Sequence, residues 1–127
     1  MDTIKLVFIL LIAFQIKHFL ADYPLQNKYM LGKFKGGTDW ILPLVAHSFV
    51  HAVLTLWICF CFSSDSVLSL KLALLDFCVH FVQDRLKASP NLLGRFKIES
   101  PYFWWALGQD QMTHHLTHYC IIYFLIT

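Results

Sequence analysis

The sequence predicts an all-α protein, a four-helix transmembrane bundle that forms one domain over residues 1–127. Composition is the first reason. Hydrophobic residues make up 57% of the chain, charged residues make up 14%, and the mean hydropathy is +0.57, which is not typical of a soluble domain. The second reason is that four apolar stretches of about 20 residues are each long enough to cross a bilayer. Little of the chain remains for a soluble domain beside them.

Turn residues and helix caps separate the four stretches. The predicted helices span residues 4–21, 40–62, 67–87 and 101–126. No small-x-small cleavage motif follows the first stretch, so this helix is expected to stay attached instead of being removed as a signal peptide. The second helix follows KGGTD and the third follows SSDS. The fourth begins with Ser100 as its cap and Pro101 at its first helical position.

Basic residues between the helices predict the orientation of the bundle. They lie in the first and third connections, whereas the SSDS hairpin has none: Lys28, Lys33, Lys35, Arg85, Lys87, Arg95 and Lys97. By the positive-inside rule both basic connections are cytoplasmic, so both termini are expected on the non-cytoplasmic side. The net charge of +2 therefore indicates topology, and no nucleic-acid partner is expected. The basic loops and the neighbouring Trp104 and Trp105 suit an anionic lipid or a lipid-linked phosphate, although ordinary headgroup contacts would explain them as well.

Each predicted helix also carries a stripe of histidine and aspartate residues spaced by four. The stripes are His18 and Asp22 on the first helix, His47 and His51 on the second, Asp76, His80 and Asp84 on the third, and Asp110, His114 and His118 on the fourth. A spacing of four places side chains on one helix face, so every stripe can point into the bundle. In the predicted orientation all four stripes fall at a similar depth, between the midplane and the cytoplasmic face.

The four aspartates in these stripes predict a metal centre. A buried carboxylate costs several kcal/mol unless it is protonated, ion-paired or bound to a metal. Pairing is expected to be limited, because Lys17 is the one lysine beside the stripes and Arg85 and Lys87 can reach the headgroups. Two divalent cations would cancel the four charges, so all ten stripe residues are predicted metal ligands, with two or more ions per chain. Mixed imidazole and carboxylate ligands favour zinc, with iron or manganese as alternatives.

The polar residues beside the stripes have a simpler interpretation. His115, Gln15, Gln83 and Gln111 are expected to form hydrogen bonds between helices, as polar side chains commonly do in membrane bundles.

The four polar motifs resemble those of a known family. KHFLADYPLQNK, HSFVHA, LLDFCVHFVQDRLK and DQMTHHLTH, in this order, are similar to an uncharacterised family of small integral membrane proteins of bacteria and their phages, known as a domain of unknown function. This resemblance implies a multi-pass protein of the bacterial inner membrane. It assigns no reaction.

A second, short-motif resemblance suggests a chemistry. The element from His18 to Asp22, followed by Gln26, is similar to those of membrane-bound metal-dependent hydrolases and of the helical zinc phospholipase C and single-strand nuclease group. In that group such elements hold zinc ions that activate water against a phosphodiester. The present chain departs from the pattern because no helix supplies a glutamate ligand, and because the whole bundle is expected in a membrane.

The leading functional prediction is therefore a metal-dependent hydrolase whose site opens at the cytoplasmic interface. It would act on a phosphoester or lipid-linked substrate, with Asp84 as the base. Three alternatives stay open: a proton or metal-ion transporter formed by a homo-oligomer, a non-catalytic membrane effector with a structural metal, and a di-iron lipid hydroxylase. The last is suggested because HSFVH and HHLTH resemble the histidine boxes of membrane desaturases.

Overall fold

The chain forms a bundle of four α-helices, and the computed structural model describes residues 2–127. The helices are α1 (Thr3–Asp22), α2 (Ile41–Phe62), α3 (Ser66–Ala88) and α4 (Pro101–Ile126), and short 3₁₀ segments lie at Met30–Phe34 and Leu93–Arg95. No strand occurs among the described residues. The predicted all-α, four-helix class is confirmed, and each predicted helix boundary lies within one residue of the observed one.

Local capping chemistry explains where the helices begin. Side-chain oxygens of Asp2, Asp65 and Ser100 accept hydrogen bonds from backbone N–H groups in the first turns of α1, α3 and α4. Ser100 is thus the predicted cap, and Pro101 follows it at the start of α4. Before α2 the chain turns through Gly37, whose φ of +61° lies in the left-handed region that glycine adopts without strain.

Each helix packs mainly against two others, so the four form a closed ring. α1 contacts α2 and α4, and α3 contacts the same two helices. The ring divides along its axis into an apolar half and a polar half. The apolar half is a cluster of buried side chains from all four helices: Leu10, Phe14, Ile58, Cys59, Leu72, Ile121 and Ile122. The polar half contains the predicted stripes.

The surface of the bundle is more apolar than its interior. Among the described residues, 17 polar or charged side chains are buried against 13 apolar ones, while 35 large hydrophobic side chains are exposed. A soluble protein shows the opposite preference. Three segments are long and apolar enough to cross a membrane: Thr3–Asp22, Ile41–Phe62 and Ser66–Arg95.

The fourth helix departs from the prediction that every helix is apolar enough to span. α4 is 26 residues long, but it is not among the three apolar segments found in residues 2–127. Two glutamines, an aspartate and three histidines lie between residues 109 and 118, and these polar side chains lower its mean hydropathy.

Candidate metal centre

All ten predicted ligands converge in the polar half of the bundle. Nine of them are buried, and the exception is Asp22, whose side chain is 23% exposed. Three groups of these residues place potential ligand atoms within 4.8 Å of one another. The groups are Asp22, His47 and His51; Asp84, Asp110 and His114; and His18, His51 and His80. His51 belongs to two groups, so these two describe neighbouring parts of one cluster.

Asp22 lies at the accessible edge of the cluster and is surrounded by imidazoles. The Nε2 atoms of His18, His47 and His51 lie 3.1, 3.3 and 2.9 Å from its carboxylate oxygens. α1 ends at Asp22 and α2 carries His47 and His51 on one face, so the α1–α2 contact brings these residues together. No lysine of the described chain pairs with Asp22.

His47 lies between two carboxylates. Its Nε2 atom is 3.3 Å from Asp22 Oδ1 and 3.2 Å from Asp84 Oδ2, yet it forms a hydrogen bond with no atom of residues 2–127. The side chain is fully buried. Buried polar atoms nearly always have a partner, and either a hydrogen on Nε2 or a cation would supply one here, so His47 is a candidate ligand.

His18 differs from its neighbours because its Nε2 atom has a hydrogen-bond partner on α4. The Gln111 amide nitrogen donates to the Asp110 carboxylate at 3.0 Å, and the amide oxygen lies 3.2 Å from His18 Nε2. In the tautomer that carries a hydrogen on Nε2, His18 donates to this oxygen. His47 and His51 contact only carboxylates through Nε2.

Asp22, His47 and His51 form a group of three potential ligands. The Asp22 oxygen lies 2.9 and 3.3 Å from the two Nε2 atoms. A tetrahedral zinc ion at about 2.0–2.2 Å from each ligand would separate those ligands by roughly 3.3–3.6 Å. The two separations that involve Asp22 are thus within a few tenths of an ångström of those in a zinc site.

The second group carries its own cations. His114 Nε2 lies 3.2 Å from both Asp84 Oδ1 and Asp110 Oδ1. Lys33 Nζ pairs with Asp84 Oδ2 at 2.8 Å, and Lys87 Nζ pairs with Asp110 Oδ2 at 2.7 Å. An ammonium group already neutralises each carboxylate of this group.

His80 lies at the centre of the cluster, where Asp76 orients it. Its Nδ1 atom forms a hydrogen bond with the backbone carbonyl oxygen of Asp76 at 3.1 Å and lies 3.0 Å from Asp76 Oδ1. Its ring stacks between those of His51 and His114, with centroids 3.7 and 4.0 Å away. Its Nε2 atom has no partner within residues 2–127, and an imidazole held at one nitrogen in this way can present the other to a metal.

Asp76 is also held by a deep ion pair. Lys17 Nζ lies 2.6 Å from Asp76 Oδ2, which also accepts the Thr55 hydroxyl, and the same ammonium is 3.4 Å from His118 Nε2. His118 Nε2 is 3.9 Å from Asp76 Oδ1. Lys17, Asp76 and His118 are all buried.

Lysine pairing is more extensive than the sequence predicted. Three of the four aspartates have a lysine partner. Two of these lysines, Lys33 and Lys87, were expected at the headgroups. Two of these lysines had a signal in the sequence. Lys17 shares the buried stripe of α1 with Phe14, and Lys87 follows Asp84 by three residues on α3. Lys33 lies in a connection that has no helical periodicity, so no pattern identified it.

The pairing changes the charge of the predicted site. Four carboxylates and three ammonium groups leave one formal negative charge when the histidines are neutral, and it lies at Asp22. Asp84, the predicted base, is 2% exposed and ion-paired, so Asp22 and not Asp84 lies at the accessible edge.

The interhelical hydrogen bonds expected of the remaining polar residues are present. Gln15 contacts His115 Nδ1 at 3.0 Å between α1 and α4, and Gln83 donates to Gln109 at 2.7 Å between α3 and α4. Gln111 links α4 to α1 through His18.

Comparison with known proteins identifies the family. The chain belongs to the family described as "Protein of unknown function (DUF3307)", which matches residues 8–127 and so includes every helix that forms the cluster. The predicted membership of an uncharacterised family is confirmed. No curated protein and no solved structure matches the chain. The family description names no reaction, so a function must be argued from the geometry.

Proposed function

We propose that this chain is a membrane-embedded, metal-dependent hydrolase that acts on a phosphoester or lipid-linked substrate. One divalent transition metal, zinc by preference, binds Asp22, His47 and His51. The site opens at the edge of the polar half, where Asp22 is accessible.

The distribution of apolar residues supports the membrane location. Lipid chains would cover the exposed hydrophobic side chains of α1, α2 and α3, and the polar stripes would be shielded inside. The positive-inside rule places the two basic connections in the cytoplasm and, in a bacterium, the bundle in the inner membrane. Reporter fusions at the two termini test this orientation, and a cytoplasmic signal from both would overturn it.

The three-ligand set is the observation that carries the catalytic proposal. Catalytic zinc sites use three protein ligands and leave a fourth position for water or substrate, whereas structural sites use four. His18 would be the fourth ligand of a closed site, and its contact with the Gln111 amide oxygen offers its Nε2 atom a partner outside the ligand set. The partly exposed Asp22 side chain gives the remaining position a route to the interface.

The lysine pairs support one metal ion per chain instead of the two or more predicted from the sequence. A single divalent cation compensates the one carboxylate that has no lysine. A second ion at Asp84, Asp110 and His114 would have to displace Lys33 and Lys87, or share the carboxylates with them, at the cost of bringing like charges together.

In the reaction the bound metal would polarise the substrate and activate a water molecule. The protein supplies the surroundings. His18 Nε2 lies 3.1 Å from Asp22 Oδ2 and limits the positions that the carboxylate can take. Asp84, the base predicted from the sequence, lies beside the ligand set, with its Oδ2 atom 3.2 Å from His47 Nε2. Lys33 pairs with the same oxygen, so Asp84 could accept a proton only when this ion pair opens.

Two observations argue against the transport and structural alternatives. The polar cluster does not continue through the bundle, because the apolar cluster with Phe14 and Ile121 fills the other half. A proton or ion path within one chain would end there. In addition, three lysines already neutralise three aspartates, so a metal is not needed to prevent the repulsion that a structural ion would relieve.

The iron-oxygenase alternative has one observation in its favour. Two histidines and one carboxylate with remaining open positions are the ligand set of non-haem iron oxygenases. The identity of the metal separates this function from the hydrolase.

The test is metal analysis of the full chain, purified in detergent without chelator. We expect about one equivalent of zinc, loss of this metal in His47→Ala, and retention in His18→Ala and in the control His115→Ala. The same preparations are assayed with bis(p-nitrophenyl) phosphate, and hydrolysis should follow metal content. Less than about 0.2 equivalents in the native chain would overturn the metal site. Loss of metal in His18→Ala would indicate a closed, structural site, and bound iron with oxygen-dependent activity would indicate the oxygenase.

A further inference from the structure

A separate pocket lies between the first 3₁₀ segment and the start of α2. Its volume is about 500 Å³, within the range of small-molecule sites. Its walls include Lys28, Tyr29, Lys35, Thr38, Asp39 and Pro43. We infer that this pocket binds the anionic phosphodiester headgroup of a membrane lipid. The inference rests on the proposed function, because it names the substrate class that would reach the metal centre.

The wall formed by the 3₁₀ segment is fixed to the polar cluster. Lys33, within this segment, pairs with the buried Asp84. Gly32 lies so close to α2 that a Cβ atom there would be 2.8 Å from the Pro43 ring. Only glycine allows this approach without displacing the proline, so the segment and α2 form one continuous surface.

Arg85 fixes the same segment from α3. Its guanidinium donates to the backbone carbonyls of Lys33 and Lys35, each at 3.3 Å, and stacks over Trp40 at 3.9 Å from the ring centroid. Arg85 thus contacts both Trp40, which directly precedes α2, and the 3₁₀ segment on the opposite side of the pocket. A pocket held in this way loses little conformational entropy when a ligand binds.

The charges of the pocket select an anion. The lysine–carboxylate ion pairs of residues 2–127 involve Lys17, Lys33 and Lys87, which leaves the ammonium groups of Lys28 and Lys35 free to bind a ligand. Asp39 is the one carboxylate in the lining, so the side chains carry a net charge of +1. The hydroxyl groups of Tyr29 and Thr38 add donors. A singly charged phosphodiester matches this charge and these donors.

The rim of the pocket favours a lipid over a soluble phosphate. Leu31 and Leu42 also line it and are 47% and 68% exposed. A pocket with a cationic side and an apolar side suits a molecule with an anionic head and an apolar body. The pocket also lies in the basic connection, which is predicted to meet the lipid headgroups.

Two elements connect the pocket to the metal centre. Pro43 is four residues before His47 on α2, so the two share a helix face and lie about 6 Å apart along the axis. Lys28 lies six residues after Asp22, in the connection that follows the accessible edge of the cluster. The pocket and the accessible edge therefore belong to the same end of the bundle.

The experiment is a calorimetric titration of the detergent-solubilised full chain with dihexanoylphosphatidylglycerol and, separately, with inorganic phosphate. Lys28→Gln combined with Lys35→Gln should weaken lipid binding roughly tenfold or more, since two charge-assisted contacts are lost. Arg95→Gln combined with Lys97→Gln removes equal charge from the other basic connection and should change the affinity for the lipid by less than about twofold. Equal weakening by both double variants, or no weakening by the first, would overturn the inference. Inorganic phosphate binding as tightly as the lipid would also overturn it.

The titration is independent of turnover and is made on chelator-treated protein. If binding depends on Lys28 and Lys35 but the chain holds no metal and hydrolyses nothing, the hydrolase is wrong and the lipid pocket stands. If metal-dependent hydrolysis is found but lipid binding does not depend on the two lysines, the lipid-binding inference is wrong and the hydrolase proposal stands.

Discussion

Asp22 and Asp76 belong to the same polar cluster but are neutralised in different ways. Asp76 is fully buried and receives the Lys17 ammonium, the Thr55 hydroxyl and His80. Asp22 is partly exposed and is surrounded by imidazoles, with no lysine. Asp84 and Asp110 resemble Asp76, because each has a lysine within 2.8 Å.

The difference separates two roles that a list of ligand types cannot distinguish. A lysine is a permanent cation fixed to the chain, so it compensates a buried carboxylate but leaves no coordination position for a substrate. A metal ion compensates the charge and also offers such a position. The cluster therefore contains three lysine cations that are part of the chain. It also has one carboxylate, at its accessible edge, that an exchangeable cation can bind.

The strongest test of this comparison removes two of the built-in cations. Lys33→Met combined with Lys87→Met should raise bound metal from about one to about two equivalents, because Asp84, Asp110 and His114 become an uncapped three-ligand site. Without metal this variant should be the least stable, since two buried carboxylates lose their partners. Elemental analysis and thermal unfolding with and without chelator measure both effects. A stoichiometry that stays near one would show that the lysines do not occupy a metal site.

Next in size is the loss of the deepest ion pair. Lys17→Met should lower the free energy of unfolding by about 3–5 kcal/mol, because Asp76 is left as an uncompensated buried charge. Adding Asp76→Asn should restore much of this stability. The exposed Lys5→Met on the same helix is the control and should change stability by less than about 0.5 kcal/mol. Equal effects of Lys17→Met and Lys5→Met in denaturant titrations would contradict the role of the ion pair.

Asp22→Asn should reduce metal affinity much more than stability, whereas Lys17→Met mainly reduces stability. No ammonium group is left unpaired, so the metal-free chain should lose only about 1–2 kcal/mol for altered hydrogen bonds. Metal affinity should fall by at least about 100-fold, more than the usual effect of losing a group that only orients a ligand. Competition with a zinc-binding dye measures the affinity. If Asp22→Asn binds zinc as tightly as the native chain, the metal lies elsewhere in the cluster.

The smallest effect is expected in the apolar half of the bundle. Ile121→Val deletes one buried methyl group and should cost about 0.5–1.5 kcal/mol. Metal content should not change. This variant shows whether a modest loss of stability alone releases metal; if it does, metal loss in the site variants is not evidence of ligation.

Much of the site could be predicted from the sequence, because helix periodicity is a local property. A spacing of four on each helix places His and Asp side chains on one face, and the positions of the stripes along the chain place them at one depth. The structure brings His18, His51, His80 and His114 together as these rules predict. The local capping of α4 by Ser100 follows the same logic.

The sequence by itself determined the four helices, the inward stripes and the unusual number of buried carboxylates. Only the tertiary structure decided which carboxylate has no lysine. The partners in the three ion pairs are 59, 51 and 23 residues apart, so their distances depend on the rotation of each helix and on where the first 3₁₀ segment packs. A shift of a few ångströms would break a contact of 2.6–2.8 Å without changing any sequence pattern. The open site at Asp22 is therefore a consequence of packing, because Coulomb pairing in a buried region is decided by distance and not by composition.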